Sequence, residues 1–298
     1  MKIKILLIFV LFSLILLLVG STSYLRCSNI SLKIFDDILG FTGIESECDK
    51  LKKENLVYVP ERFDDLTFKV ETTCPKDSKV ILIIGQSNSS NNLLSSIDKS
   101  TKDINYNYLN NKCYELSEPV LGASGNKSSL TSSLSSKIKH KKPIIFFTAG
   151  INATSITDWS NENGFAKKIN KNLKKILHTN SLNFVIWIQG ETDANTNIDY
   201  ISHFEKMKLS LLSQINEKKT KNNKFIITQT SICNSKKDID LNNQQKKLQM
   251  IFDDVIVASV TDNLDENFRY DGCHFNKFGT EAITNELSEI INKEFMVQ

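Results

Sequence analysis

The stretch KVILIIGQSN, residues 79–88, decides how the rest of the chain is read. Val80–Ile84 is an unbroken aliphatic run of strand length. A strand with one face in water would alternate, so this one is covered on both faces. Gly85 closes the run, and Gln86, Ser87 and Asn88 follow at its carboxyl end. Four further runs share this character: Pro143–Thr148, Asn183–Gln189, Lys224–Thr230 and Val255–Val260. Amphipathic stretches alternate with them, predicting helices over Ser128–Lys137, Asn161–Leu177, Asp199–Gln214, Asn243–Phe252 and Lys277–Phe295. Strand and helix in alternation imply one parallel sheet with helices on both faces, a single three-layer α/β domain over residues 79–298.

The chain has 298 residues, which at about 150 per domain would suggest two domains. The N-terminus removes that surplus. Lys2 and Lys4 precede an apolar run from Ile5 to Val19 broken only by Ser13, with Ser21 and Ser23 at cleavage-type positions. Residues 1–25 therefore read as a signal peptide or an N-terminal membrane anchor. Either puts the remainder outside the cytoplasm, periplasmic or extracellular, with membrane contact through residues 3–25 if they are retained. Residues 26–78 are polar and irregular, a lead-in or cap on the domain. The 37 Lys and Arg against 34 Asp and Glu give a net charge of +3 with no single-sign field, which excludes nucleic acid as the main partner. Six dispersed cysteines, Cys27, Cys48, Cys74, Cys113, Cys233 and Cys273, form no metal-type cluster. In an exported chain they predict at least one disulfide, against the alternative of free thiols in an apolar core.

Glycine and histidine are scarce, and their positions are informative. Gly85, Gly122, Gly125, Gly150, Gly190, Gly272 and Gly279 fall mostly at strand ends or in the loops beyond, where open α/β sheets build their ligand crevice. Ser87, just past a buried strand, has the rigid and accessible placement of a nucleophile, although serine there also serves as a helix cap. Of the four histidines, His140 lies in a basic loop, His178 ends a Lys-rich helix and His203 lies within a helical stretch. His274 lies in DGCHFN, residues 271–276, where Asp271 can orient one imidazole nitrogen and leave the other for Ser87. The plainer reading is a helix cap and a buried polar histidine. WIQGETD, residues 187–193, brings Gln189, Glu191 and Asp193 to the same sheet edge. Gln189 can donate to a developing oxyanion, while Glu191 and Asp193 can orient neighbours or a sugar. Paired carboxylates also admit a glycosidase reading, which would leave Ser87 and His274 idle. No two histidines stand at metal-ligand spacing, so a metal site is not expected.

Five blocks in order carry a resemblance: IIGQSNSSN around Ser87, PVLGASG at 119–125, TSITDW at 154–159, WIQGETD at 187–193 and RYDGCHFNKFG at 269–279. Together they resemble the SGNH/GDSL hydrolase superfamily, and within it the sialate O-acetylesterase-like carbohydrate esterases. The resemblance implies a three-layer α/β/α sandwich with a central parallel sheet, SGNH hydrolase-like and flavodoxin-like, and a serine esterase site without cofactor or metal. Carried over residue by residue, it makes Ser87 the nucleophile, His274 the general base and Asp271 its orienting partner. The oxyanion hole would draw on Ser87 and Gly125 N–H groups, or less readily Gly122, with Gln189 as the side-chain donor. Gln86, Asn88, Glu191 and Asp193 would bind substrate or support those groups. The implied substrate is an acetylated carbohydrate. Two departures stand out: Asn126-Lys127-Ser128-Ser129 follows the GASG block where relatives are glycine-rich, and Asn152-Ala153 precedes TSI where relatives often carry Gly-Gly.

Cys273 lies between Asp271 and His274, and Cys233 follows the fourth strand. A Cys233–Cys273 disulfide would clamp the loop that carries the histidine; a buried free thiol is the alternative. Two other functions share these residues: an exported polysaccharide O-acetyltransferase on the same fold, and a non-enzymatic glycan-binding protein with a degenerate site. The sequons Asn88-Ser89-Ser90 and Asn152-Ala153-Thr154 lie so close to the site that they read as chance matches in an Asn/Ser-rich chain.

Overall fold

A computed structural model describes residues 62–95, 105–234 and 237–297. The apolar N-terminal segment, Cys27 and Cys48 lie outside the described residues. Eight strands form one sheet: β1 (Glu71–Thr72), β2 (Lys79–Gly85), β3 (Tyr106–Leu109), β4 (Lys112–Glu115), β5 (Ile144–Thr148), β6 (Ser181–Ile188), β7 (Lys224–Gln229) and β8 (Val255–Val260). Their spatial order is β1-β4-β3-β5-β2-β6-β7-β8. The helices are α1 (Thr131–Ser135), α2 (Ile156–Ser160), α3 (Phe165–Ile176), α4 (Tyr200–Leu212), α5 (Ile239–Ile251) and α6 (Lys277–Val297).

The five aliphatic runs are the five strands β2, β5, β6, β7 and β8, all parallel to their neighbours. The expected all-parallel sheet needs one correction. At one edge β3 joins β5 in parallel but pairs antiparallel with β4, and β4 pairs antiparallel with β1, so the sheet is mixed. The physical reason is a hairpin. Asn110 and Asn111 both take left-handed φ, +50° and +68°, the backbone that a two-residue turn between antiparallel strands requires. Residues 62–78, expected as a lead-in or cap, include β1 and contribute two further ties to this edge. Phe63 exchanges backbone hydrogen bonds with Gly122 and Ala123, and Cys74 is disulfide-bonded to Cys113 of β4.

Alternation along β2 shows why it had to be aliphatic throughout. Val80, Leu82 and Ile84 point into one core with residues of α2, α3, α4 and α5. Ile81 and Ile83 point into the other with residues of α1 and α6. Each helix presents a stripe at helical spacing: Ala166, Ile169, Leu173 and Ile176 on α3, and Ile283, Leu287 and Ile291 on α6 are buried. The result is three layers with β2 near the middle of the sheet. The chain leaves β2 for one side of the sheet, returns through β5, and crosses to β6 on the other side. That reversal makes the carboxyl ends of β2, β5 and β6 the place where open α/β sheets bind their ligands.

Gly85 is what lets β2 end there. Its φ is +129°, and a Cβ at this position would stand 2.0 Å from the Ile188 carbonyl oxygen of β6. The neighbouring backbone cannot yield, because Gln86 N–H donates to that same oxygen at 2.9 Å. Gly85→Ala is expected to lose about 2–4 kcal/mol of stability, read as a lower urea midpoint. An unchanged midpoint would contradict this account of the β2–β6 approach.

Candidate active site

Beyond Gly85 the chain tightens into a 3-10 turn, Ser87–Ser89. Ser89 N–H and Oγ both donate to Gln86 O, and Ser90 N–H and Oγ both donate to Ser87 O. These bonds fix the Ser87 backbone while leaving its side chain uncommitted. Among the described residues Ser87 Oγ has no hydrogen-bond partner, and the residue is 7% exposed. The N–H groups of Ser87 and Gly125 are likewise unpaired among the described residues. Gly125 takes φ +86°, and a Cβ there would meet Asn91 O at 2.6 Å.

Asp271 and His274 form a closed pair. Asp271 Oδ2 lies 2.7 Å from His274 Nδ1, while Oδ1 accepts His274 N–H at 2.7 Å and Cys273 N–H at 3.0 Å. Partial burial would raise the Asp271 carboxyl, but the hydrogen bonds from His274 and Cys273 outweigh it and hold the group below the usual carboxylate range. With Nδ1 committed to Asp271, the other ring nitrogen is left for chemistry. The His274 side chain is 23% exposed, so the ring is accessible. The turn around it is braced three times. Arg269 bridges to Phe275 across the turn, and its guanidinium donates to the Cys273 and Thr261 carbonyls. Asn234 N–H donates to Gly272 O at 3.1 Å. The Cys233–Cys273 disulfide joins the turn to the loop after β7, one of the two readings the sequence left open.

Asn88 connects these two halves. It is fully buried; its Oδ1 accepts Phe275 N–H at 3.3 Å, and its Nδ2 donates to Cys273 O at 3.3 Å. The peptide groups on both sides of His274 are thus tied to the residue after Ser87. Burial also removes Asn88 as a glycan acceptor. The same Nδ2 donates to Glu191 Oε1 at 2.6 Å. Glu191 is buried, and desolvation pushes its carboxyl up, with the Asn88 hydrogen bond and the Arg269 charge opposing. Glu191 Oε2, Thr230 Oγ1 and Arg269 Nε are each buried without a partner among the described residues. A neutral carboxyl is compatible with that surrounding, because its O–H can serve as a donor.

Three expected site residues turn inward. Gln86 Oε1 accepts Thr192 N–H at 3.1 Å and Gly190 N–H at 3.4 Å, fastening the β6 loop to the Ser87 turn. Asp193 accepts Ile156 N–H at 2.8 Å, together with the Ser155 hydroxyl, and so anchors the start of α2. Gln189 stands apart from the expectation of an oxyanion donor. It is fully buried; its Nε2 donates to Asp193 Oδ2 at 2.6 Å and Thr154 O at 3.1 Å, and its Oε1 lies 2.9 Å from the Tyr200 hydroxyl. With both amide hydrogens engaged, it supports the loop from behind. Residue-type reasoning overlooked Arg269, whose side chain spans the histidine turn, and Thr230. Arg269 does open the RYDGCHFNKFG block, and a charged residue that close to an Asp–His pair was the available signal.

A serine on a fixed turn, unpaired N–H groups nearby and a carboxylate-oriented histidine make an arrangement suited to ester chemistry at a sheet edge. A family model described as "Carbohydrate esterase, sialic acid-specific acetylesterase" matches residues 77–293, and the chain belongs to that family. It is a carbohydrate acetylesterase by family. Among solved structures, the chain is similar to a protein of Arabidopsis thaliana at 13% identity and TM-score 0.58, covering 74% of this chain and all of that one. It is similar to NanS at 12% identity and TM-score 0.54, covering 76% of this chain and all of that one. At such identities the likeness supports the fold. No curated protein sequence matches.

The raised Glu191 carboxyl has a testable sign. A group whose folded pKa lies above its unfolded value binds protons on folding, so it stabilises at low pH and that contribution is lost as pH rises through the folded pKa. Glu191→Gln keeps the neutral shape at every pH. Wild type should therefore lose thermal stability relative to Glu191→Gln as pH rises from the ordinary carboxylate range through neutrality, measured as the difference in Tm. A constant difference across that range would contradict the raised carboxyl.

Proposed function

We propose that the protein is an exported serine esterase that removes acetyl groups from O-acetylated sugars or glycans. The observation that supports this reading is the Asn88 bridge, which ties the peptide groups flanking His274 to the residue after Ser87, whose hydroxyl has no hydrogen-bond partner among the described residues. His274 takes the Ser87 hydroxyl proton, and Oγ attacks the acetyl carbonyl carbon. The Ser87 and Gly125 N–H groups stabilise the oxyanion; Gln189, already engaged, is not needed as a third donor. Collapse breaks the ester bond, and the departing sugar oxygen takes the proton from His274. Water then attacks the acetyl-enzyme with His274 again as base, releasing acetate and restoring Ser87. Asp271, held as a carboxylate, fixes the imidazole orientation and stabilises the imidazolium that forms in each step.

Export is supported by two observations. The Cys74–Cys113 and Cys233–Cys273 disulfides suit an oxidising compartment. The apolar run near the N-terminus suits a secretory signal or an anchor. Among the described residues no helix is long and apolar enough to cross a membrane, and residues 1–25 lie outside them. Retention at the membrane would rest on that segment in this reading.

The test is acetate release from acetylated glycans by wild type and Ser87→Ala. Wild type should release acetate, and Ser87→Ala should lower the turnover rate by about 10⁴-fold or more. Comparable rates for the two proteins would remove Ser87 as the nucleophile. Acetyl transfer to an acceptor glycan in place of free acetate would make the protein a transferase.

A further inference from the structure

Asp271 aims the His274 imidazole through one ring nitrogen. A single bond of that kind leaves the ring able to swing about the contact. A second side chain lies against it. The Tyr270 ring runs alongside the imidazole, with centroids 5.9 Å apart and planes 24° from parallel. Tyr270 N–H also donates to His274 O at 3.0 Å, so backbone and ring hold the same residue.

The far end of the Tyr270 ring makes two more contacts. Its hydroxyl lies 2.9 Å from Asn92 O and 2.7 Å from the Lys127 ammonium. A carbonyl only accepts and an ammonium only donates, so the hydroxyl gives its proton to Asn92 and accepts one from Lys127. The ammonium also lies 4.1 Å from the centroid of the Tyr270 ring. Both partners belong to segments of the site: Asn92 follows the Ser87 turn, and Lys127 follows Gly125. Those two segments are laced to each other, since Asn91 N–H donates to Ser124 O and Lys127 N–H donates to Asn91 O, each at 2.8 Å. Tyr270 ties that pair of segments to the histidine turn. Phenylalanine at this position would keep the ring and lose both hydroxyl ties.

We propose that Tyr270 is a positioning residue of the esterase, holding the His274 imidazole in register with Ser87 and the Gly125 N–H. This rests on the esterase reading above, because it takes those three groups to act on one ester. Asn88 fixes the peptide groups on either side of His274, whereas Tyr270 acts on its ring. A misplacement too small to unfold the turn slows the chemical step and leaves substrate binding alone.

The test is nitrophenyl acetate hydrolysis by wild type, Tyr270→Phe, Lys127→Met and the double variant, with the rate of fluorophosphonate labelling of Ser87 measured alongside. Tyr270→Phe should lower kcat about tenfold, the worth of one charge-assisted hydrogen bond, and leave KM within about twofold. The unchanged KM reports that the variant is folded, and the labelling rate should fall by the same factor as kcat. Lys127→Met should lower kcat by itself and have no further effect in the Tyr270→Phe background, because it acts through the hydroxyl. A wild-type kcat in Tyr270→Phe, a loss confined to KM, or additive losses in the double variant would overturn the assignment. If wild type neither hydrolyses the ester nor takes the label, the esterase reading fails, and the His274 imidazole proton resonance judges Tyr270 separately. Four histidines give four such signals, and His274→Ala identifies the one. It should move in Tyr270→Leu, which removes the ring, while the other three stay in place. A His274 resonance that does not move would overturn the assignment whatever the activity.

Discussion

The site depends on one buried amide. Asn88 follows Ser87 and spends its side chain on the peptide groups that flank His274 and on Glu191. Residues more than 180 positions apart in sequence are thereby held in one local geometry. Catalytic groups must be placed to within a fraction of an ångström to gain from proximity, and a loop left to itself does not reach that precision. Here the histidine turn is fixed from both sides: by Asn88 from the serine side, and by Arg269 and the Cys233–Cys273 disulfide from the other. A buried polar network of this kind is costly when incomplete and restrictive when satisfied. Atoms of Glu191, Thr230 and Arg269 that have no partner among the described residues lie in this network, where a proton on Glu191 can serve as a donor.

The fold delivers these groups to one place for topological reasons. Ser87 ends β2, the Gln189–Asp193 stretch follows β6 beside it, and Cys233 follows β7. All three loops leave the same edge because the strands are parallel. Gly85 and Gly190 let the loops pass closer than a side chain would allow: a Cβ at Gly190 would stand 2.0 Å from Thr230 O. Several polar residues at that edge build it and do not face solvent. Gln86, Gln189 and Asp193 knit the β2, β5 and β6 loops to one another, while the Ser87 hydroxyl has no partner among the described residues and the His274 side chain is partly exposed.

Much of this was legible in the sequence, and the limits have physical causes. The five central strands showed themselves because burial on both faces forces continuous aliphatic runs. The edge strands β3 and β4 did not, because NYNYLNNKCYE carries alternating polar residues and resembles a loop. The Asn-Asn pair at its centre was the legible sign of a hairpin. Asp271 and His274 were recoverable because their pairing is local, three residues apart. The role of Gln189 was not, since whether an amide faces a crevice or a buried carboxylate depends on Asp193 and Tyr200, which only the fold brings to it. Asn88 was placed near the site by its neighbour in sequence, but its link to Cys273 and Phe275 spans the whole domain. The position of each cysteine relative to a strand end made a Cys233–Cys273 pairing possible but left a buried free thiol equally open, and the fold decides for the disulfide.

The most direct test of the central claim is whether Ser87 is an activated nucleophile. A fluorophosphonate reacts with a serine only when a base withdraws its proton, so the adduct reports the working assembly. Peptide mapping by mass spectrometry after labelling should place one adduct on Ser87 in wild type and none in His274→Ala. An unlabelled Ser87 in folded wild-type protein, or labelling that persists in His274→Ala, would contradict the account.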